Sequence, residues 1–130
     1  MNQKIATSNA PVAIGPYSQA IAAGGFLFTS GQIALVPDTG ALDMADIETE
    51  THRVMQNLKA VLEAGKASFN YVVKTTIYLS DMAHYAKVNE VYASYFTEDA
   101  PAREAVQVAG LPKGVNVEIS MIAFLGNSTK

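Results

Sequence analysis

Arginine occurs only twice among the 130 residues, at Arg53 and Arg103, and the second stands in the strand-like run Ala102-Arg103-Glu104-Ala105-Val106-Gln107-Val108. A planar guanidinium with five donors suits a carboxylate ligand held by two parallel hydrogen bonds. Glu118 likewise interrupts Val115-Asn116-Val117-Glu118-Ile119. Side chains alternate across a strand, so Arg103, Ala105 and Gln107 share one face, as do Asn116, Glu118 and Ser120. If the two runs formed a hairpin about Leu111-Pro112-Lys113-Gly114, Arg103 and Glu118 would lie opposite or diagonal to each other. Residue types leave two readings open, a carboxylate-binding site or an ordinary ion pair on a strand surface.

Other chemistries are poorly supplied. Cysteine is absent, which excludes disulfides, thiolate zinc sites, iron–sulfur clusters and cysteine nucleophiles. The formal net charge of -3 argues against a nucleic-acid binder relying on overall positive charge. There is no phosphate loop, dinucleotide fingerprint or nucleophile elbow, so neither a nucleotide cofactor nor a metal is expected. His52 and His84 are 32 positions apart and read as surface or cap residues rather than metal ligands, which must converge in number. The N-terminal residues lack the apolar core of an export signal, and no apolar run approaches the roughly 20 residues of a membrane span. A soluble, cytoplasmic, single-domain protein spanning 1–130 is expected.

The elements that must position these side chains follow from periodicity. Tyr17–Ala23 and Phe26–Gly31 flank Gly24-Gly25, a hairpin turn, and Pro37–Gly40 forms a second turn. Ile47, Val54, Leu58, Val61 and Leu62 recur at helical spacing through Gly65, with Asp46 as N-cap and the charged residues Glu48, Glu50, Arg53, Lys59 and Glu63 as the solvated face. Tyr71–Leu79 is the clearest strand, with Tyr71, Val73, Ile77 and Leu79 expected on one face. A second helix, capped by Ser80-Asp81, carries Met82, Tyr85, Val88, Tyr92, Tyr95 and Phe96 as packing residues and ends before Pro101. Ala102–Ala109 and Val115–Phe124 complete five strands located by pattern. The order suggests two βαβ halves in an α+β fold, a mixed six-stranded sheet with two helices packed on one face. The opposite sheet face, with Val72, Ile122 and Phe124 expected on it, would need a partner. Hydrophobic residues at 49% against 16% charged point the same way.

Several separated stretches carry a family likeness: Ala10-Pro11-Val12-Ala13-Ile14-Gly15-Pro16-Tyr17-Ser18-Gln19-Ala20, Phe28-Thr29-Ser30-Gly31-Gln32-Ile33, Asn57-Leu58-Lys59-Ala60-Val61-Leu62, Val73-Lys74-Thr75-Thr76, Val88-Asn89-Glu90-Val91-Tyr92, Pro101-Ala102-Arg103 and Val117-Glu118-Ile119. In this order, from about Ile5 to Phe124, the chain resembles the RidA (YjgF) family of reactive-intermediate deaminases. The resemblance implies a chorismate-mutase-like subunit, a homotrimer built around a central barrel, and ligand clefts between neighbouring subunits. It also implies cofactor-free hydrolysis of 2-imino acids such as 2-iminopropanoate and 2-iminobutanoate, the products of pyridoxal-phosphate dehydratases, to 2-keto acids and ammonia. By the same resemblance Arg103 would grip the substrate carboxylate and Glu118 would orient the attacking water. Tyr17 and Ser30 would line the cleft, Gly31 and Ala105 would offer backbone groups, and Asn89 would support them.

The chain departs from the family where a small residue and then a cysteine commonly follow the motif arginine; here they are Glu104 and Ala105. Glu104 is expected on the sheet face opposite Arg103, where its charge could still weaken attraction for an acid. Two other functions stay open: a small-acid-binding protein of the same fold without significant deaminase activity, and a chaperone-like or RNA-directed interaction protein.

Overall fold

A computed structural model describes residues 2–126; the tail at 127–130, expected to fray, lies outside the described residues. The strand that pattern did not locate, β1 (Gln3–Ile5), pairs antiparallel with β2 (Ala20–Ala23). Gly24 and Gly25 adopt φ of 59° and 86° and turn β2 into β3 (Phe26–Thr29), as the hairpin reading requires. The strand is shorter than expected at its start, leaving Tyr17 in the preceding loop.

Helix α1 (Ile47–Ala64) begins where Asp46 Oδ1 accepts from Thr49 N at 2.7 Å. Val54, Met55, Leu58, Val61 and Leu62 are fully buried, each contributing about 1.5–3 kcal/mol by removal from water. The reading of its charged residues as one solvated face fails at Glu50, which is 1% exposed. Gly65 follows the helix but not as a left-handed cap, since its φ is -89° and the positive φ falls on Lys66. A side chain at Gly65 would strike Leu27 on β3, so close helix–sheet approach explains the glycine.

Strand β4 (Val72–Leu79) corrects another expectation. Its register against β6 (Val117–Phe124) slips between Val72 and Lys74, so a bulge reverses the facing of everything N-terminal to it. Val72, expected on the open face, is buried, while Tyr71 and Val73 are exposed. Asp81 caps a single 3₁₀ turn, Met82–His84, through Ala83 N, and α2 proper is only Tyr85–Ala93. Ser80 caps nothing; its hydroxyl donates to Asn116 Oδ1 at 3.2 Å.

The sheet order is β1-β2-β3-β6-β4-β5, with β5 spanning Ala102–Gln107. Among the described residues only the β4–β5 pair is parallel, so the sheet is mixed, and both helices lie over the same face, where the core collects. The hairpin of β5 with β6 that would set Arg103 opposite or diagonal to Glu118 does not form, because β4 lies between them. A parallel partner reached through α2 satisfies β5, and β6 fills the gap between β3 and β4. The face away from the helices carries Phe26, Phe28, Ile122 and Phe124; Phe28 and Phe124 are more than 40% exposed. Its aromatic rings cluster, Phe26 standing 5.0 Å from Phe124.

Candidate active site

On β6, Val117, Ile119, Met121 and Ala123 are buried under the helices, so Glu118 and Ser120 point to the open face. Beside them the chain leaving β3 makes a two-bond bridge: Gln32 N donates to Ile119 O at 2.8 Å and Ile119 N to Gln32 O at 3.1 Å. This bridge sets Gly31 against the Glu118 carboxylate, so closely that a Cβ at position 31 would overlap Oε2. Partial burial there, with no cation paired to it among the described residues, raises the Glu118 carboxyl above its ordinary value of 4.5.

A cleft of about 550 Å³ opens at this point, lined by Tyr17, Ser30, Gly31, Ile33, Lys113 and Glu118 among others. Its far wall is the N-terminal loop, held by the buried Gln19, whose amide donates to Pro11 O at 2.7 Å and Thr7 O at 3.1 Å and whose Oε1 accepts from Thr7 N at 2.7 Å. Ser30 donates its hydroxyl to Ser18 O at 2.5 Å, which fixes the loop carrying Tyr17. Tyr17 itself is half exposed.

Arg103 lies on the other side of the sheet. It registers with Thr75, which faces the helices and registers in turn with buried Met121. Its guanidinium is held by α2: Nη1 donates to Asn89 Oδ1 and Nη2 to the Tyr85 hydroxyl, each at 2.7 Å. Tyr85 and Asn89 are four residues apart and therefore neighbours on one helical face. The cation also stands 5.6 Å from the Tyr85 ring and 5.1 Å from the Tyr92 ring. Tyr92 is buried, which raises its hydroxyl's pKa, and it donates to Thr75 Oγ1 at 3.0 Å. Among the described residues no carboxylate pairs with Arg103. Ala105, two residues on, shares its face.

The chain therefore brings Tyr17, Ser30, Gly31 and Glu118 together in one cleft and groups Arg103 with Asn89 and Ala105 on another face. It does not bring the two groups together. The surface ion-pair reading of Arg103 with Glu118 is thereby overturned within the chain. Glu104 does face away from Arg103, with Lys74 Nζ 3.4 Å from its Oε1, so its charge is partly answered. No cluster of three or more His, Cys, Asp or Glu able to hold a metal occurs among the described residues. His52 Nδ1 lies 2.8 Å from the Tyr95 hydroxyl, and His84 precedes α2.

Sequence reasoning missed Gln19, Glu50 and Tyr85. Glu50 carried a usable signal, since it stands three residues after Ile47 and four before Val54, on the apolar stripe. Asn57, also fully buried, lies on the same stripe and donates to Ile33 O and Leu35 O. Tyr85 had the weaker signal of its four-residue spacing from Asn89.

Comparison with known proteins agrees with this architecture. The profile of the family described as Endoribonuclease L-PSP matches residues 7–125. The chain belongs to the YjgF/RidA family. A RutC family protein of Pyrococcus horikoshii is 55% identical over 124 residues, covering 95% of this chain and 98% of that protein. The 2-iminobutanoate/2-iminopropanoate deaminase of Mus musculus is 46% identical over 94% of this chain and 90% of its own. Among solved structures, E. coli TdcF with bound serine superposes with a TM-score of 0.90 at 40% identity, covering 94% of this chain and 98% of that one. Family membership accounts for the six-stranded sheet and two helices, and no helix among the described residues is long and apolar enough to cross a membrane.

Proposed function

We propose that the chain is a cofactor-independent deaminase that hydrolyses reactive 2-imino acids, including 2-iminopropanoate and 2-iminobutanoate, to 2-keto acids and ammonia. It works as a homotrimer with its clefts between neighbouring subunits, in the cytoplasm where such imines arise. The observation that carries the reading is the division of the site. Among the described residues, a partly buried, unpaired Glu118 lines a cleft on one face, and a cation without a carboxylate partner is fixed on the other. A head-to-tail contact between two copies, with the apolar open face as part of the covered surface, supplies both groups to one ligand. Relatives named as imine deaminases support the chemistry.

Two of the five guanidinium hydrogens of Arg103 are committed to Asn89 and Tyr85, leaving others for the substrate carboxylate. The partner's cleft holds the imine carbon beside a water oriented by Glu118. Water oxygen adds to the carbon as Glu118 takes one of its protons, and the C=N electron pair moves onto nitrogen. Glu118 returns that proton to the nitrogen; the carbinolamine then gives up its hydroxyl proton, which passes to the amine as the C–N bond breaks, forming the C=O bond and releasing ammonia. An imine also hydrolyses unaided, so positioning carries most of the rate advantage. Tyr17, Ser30, Gly31 and Ala105 shape the cleft, and Asn89 holds the cation.

The test couples threonine dehydratase to this protein and follows 2-ketobutyrate. Wild type accelerates its appearance, and Arg103→Ala loses on the order of a hundredfold or more in kcat/KM; equal activity in the variant overturns the mechanism. A second reading, binding of small acids without turnover, is favoured by the serine held in the TdcF structure. Calorimetric binding of serine or 2-ketobutyrate without acceleration selects it.

A further inference from the structure

Glu50 is 1% exposed, yet it belongs to neither half of the site and has no cation paired with it among the described residues. A buried carboxylate is costly unless its oxygens are well satisfied. Here they are satisfied by one short stretch of chain. Oε2 accepts from Asn116 N at 2.7 Å and from Val117 N at 3.2 Å, and Oε1 accepts from Asn116 Nδ2 at 2.9 Å.

These bonds lie at the point where the 110–116 loop becomes β6. Leu111, Pro112 and Lys113 of that loop line the space around Glu118, and Lys113 and Gly114 turn it with φ of 57° and 69°. Asn116 is held from the other side by Ser80, whose N–H donates to Asn116 O at 3.0 Å and whose hydroxyl donates to Oδ1 at 3.2 Å. Glu118 is two residues beyond Asn116 and next to Val117. We infer that Glu50 is a positioning residue for Glu118: it fixes the first residues of β6, and through them the angle at which the Glu118 carboxylate meets the cleft beside Gly31.

The inference rests on the deaminase reading and makes a claim of its own about which property of Glu50 matters. One oxygen takes both backbone N–H groups, so position and not charge is the requirement. In Glu50→Gln the amide oxygen keeps both backbone bonds, and a flip of the Asn116 amide turns its oxygen to the new NH₂. In Glu50→Leu, of similar volume, two N–H groups and an amide lose their acceptor.

The experiment measures kcat and KM in the coupled assay for wild type, Glu50→Gln, Glu50→Leu, Glu118→Gln and the double variant Glu50→Leu/Glu118→Gln, with thermal melts of each. The expected result is Glu50→Gln within about threefold of wild type, and Glu50→Leu down roughly 10- to 100-fold in kcat with KM changed less than about threefold. On the Glu118→Gln background, Glu50→Leu produces no further loss, because the carboxylate it positions is already gone. Should Glu50→Leu fail to fold, Glu50→Asp, which withdraws the acceptor by one methylene, takes its place with the same expectation. Losses that multiply on the Glu118→Gln background overturn the inference, as does Glu50→Leu with wild-type kcat or Glu50→Gln as impaired as Glu50→Leu. Those outcomes leave the deaminase reading standing; a wild-type protein that does not accelerate imine hydrolysis removes both.

Discussion

On the open face of the sheet Glu118 sits in the wall of a formed cleft, partly buried and unpaired among the described residues, with Gly31 pressed against it. On the helix face Arg103 is gripped by two neutral partners and two aromatic rings at the outer strand, β5. The first region has shape and a carboxylate with no cation paired to it among the described residues; the second has a rigid cation with no carboxylate paired to it there. The difference teaches that the subunit pre-organises each charge separately. Had the two been neighbours in one chain, each would have neutralised the other and left a weak, solvated ion pair. Keeping them on opposite faces leaves each charge unpaired within the chain, as the proposed shared cleft requires.

The strongest way to break this comparison is to separate the halves genetically. Arg103→Ala and Glu118→Gln, each strongly impaired alone, are mixed, unfolded and refolded together. If every cleft takes Arg103 from one subunit and Glu118 from the next, random mixing in a closed head-to-tail ring leaves about a quarter of the clefts intact. Recovery of about a quarter of wild-type activity is the expected result. No recovery, with mixed oligomers demonstrated by mass, assigns both groups to one subunit and defeats the division of the site.

A smaller effect sharpens the open-face half. Gly31 is not in the left-handed region, so its value lies in the missing Cβ alone, which would overlap the Glu118 carboxylate. That carboxylate is the free end of a flexible side chain and can swing aside. Gly31→Ala is therefore expected to melt within a few degrees of wild type while losing roughly 10- to 100-fold in kcat. A large fall in melting temperature instead places the glycine in the fold and not in the site.

Much of this was legible in the residues, and the failures have physical causes. Periodicity located α1 and the Gly24-Gly25 hairpin because local rules decide them: an apolar stripe with Asp46 at its head, and a turn that needs positive φ. Arg103 and Glu118 stood out as charges in strands for the same reason. Their relation was not legible, since alternation states which residues share a face within a strand but not which strands pair. The short loop between β5 and β6 is compatible with a hairpin, but β4, paired parallel to β5, stands between them. A single bulged residue similarly reversed the expected facing of Val72 and Val73. Helix charge patterning predicts Glu50 in solvent, whereas the backbone N–H groups of Asn116 and Val117 and the Asn116 side-chain amide, 66 and 67 residues away, make its burial tolerable.

The smallest expected effect concerns pH and tests whether Glu118 is as desolvated as its surroundings imply. Burial raises its folded-state pKa above 4.5. To accept a proton from water the group must be ionised, so kcat falls on the acid side, with its midpoint above that ordinary value. The same shift has a stability consequence of opposite sense. The folded state holds the proton more tightly than the unfolded chain does, so wild type loses stability as pH rises from the unfolded to the folded pKa. Glu118→Gln lacks the titration and should melt slightly higher than wild type at neutral pH, the gap closing as pH falls through that window. An acid limb at or below 4.5, together with a variant no more stable than wild type at pH 7, means that Glu118 is solvated in the assembled protein and that its cleft is not the water-poor half of the site.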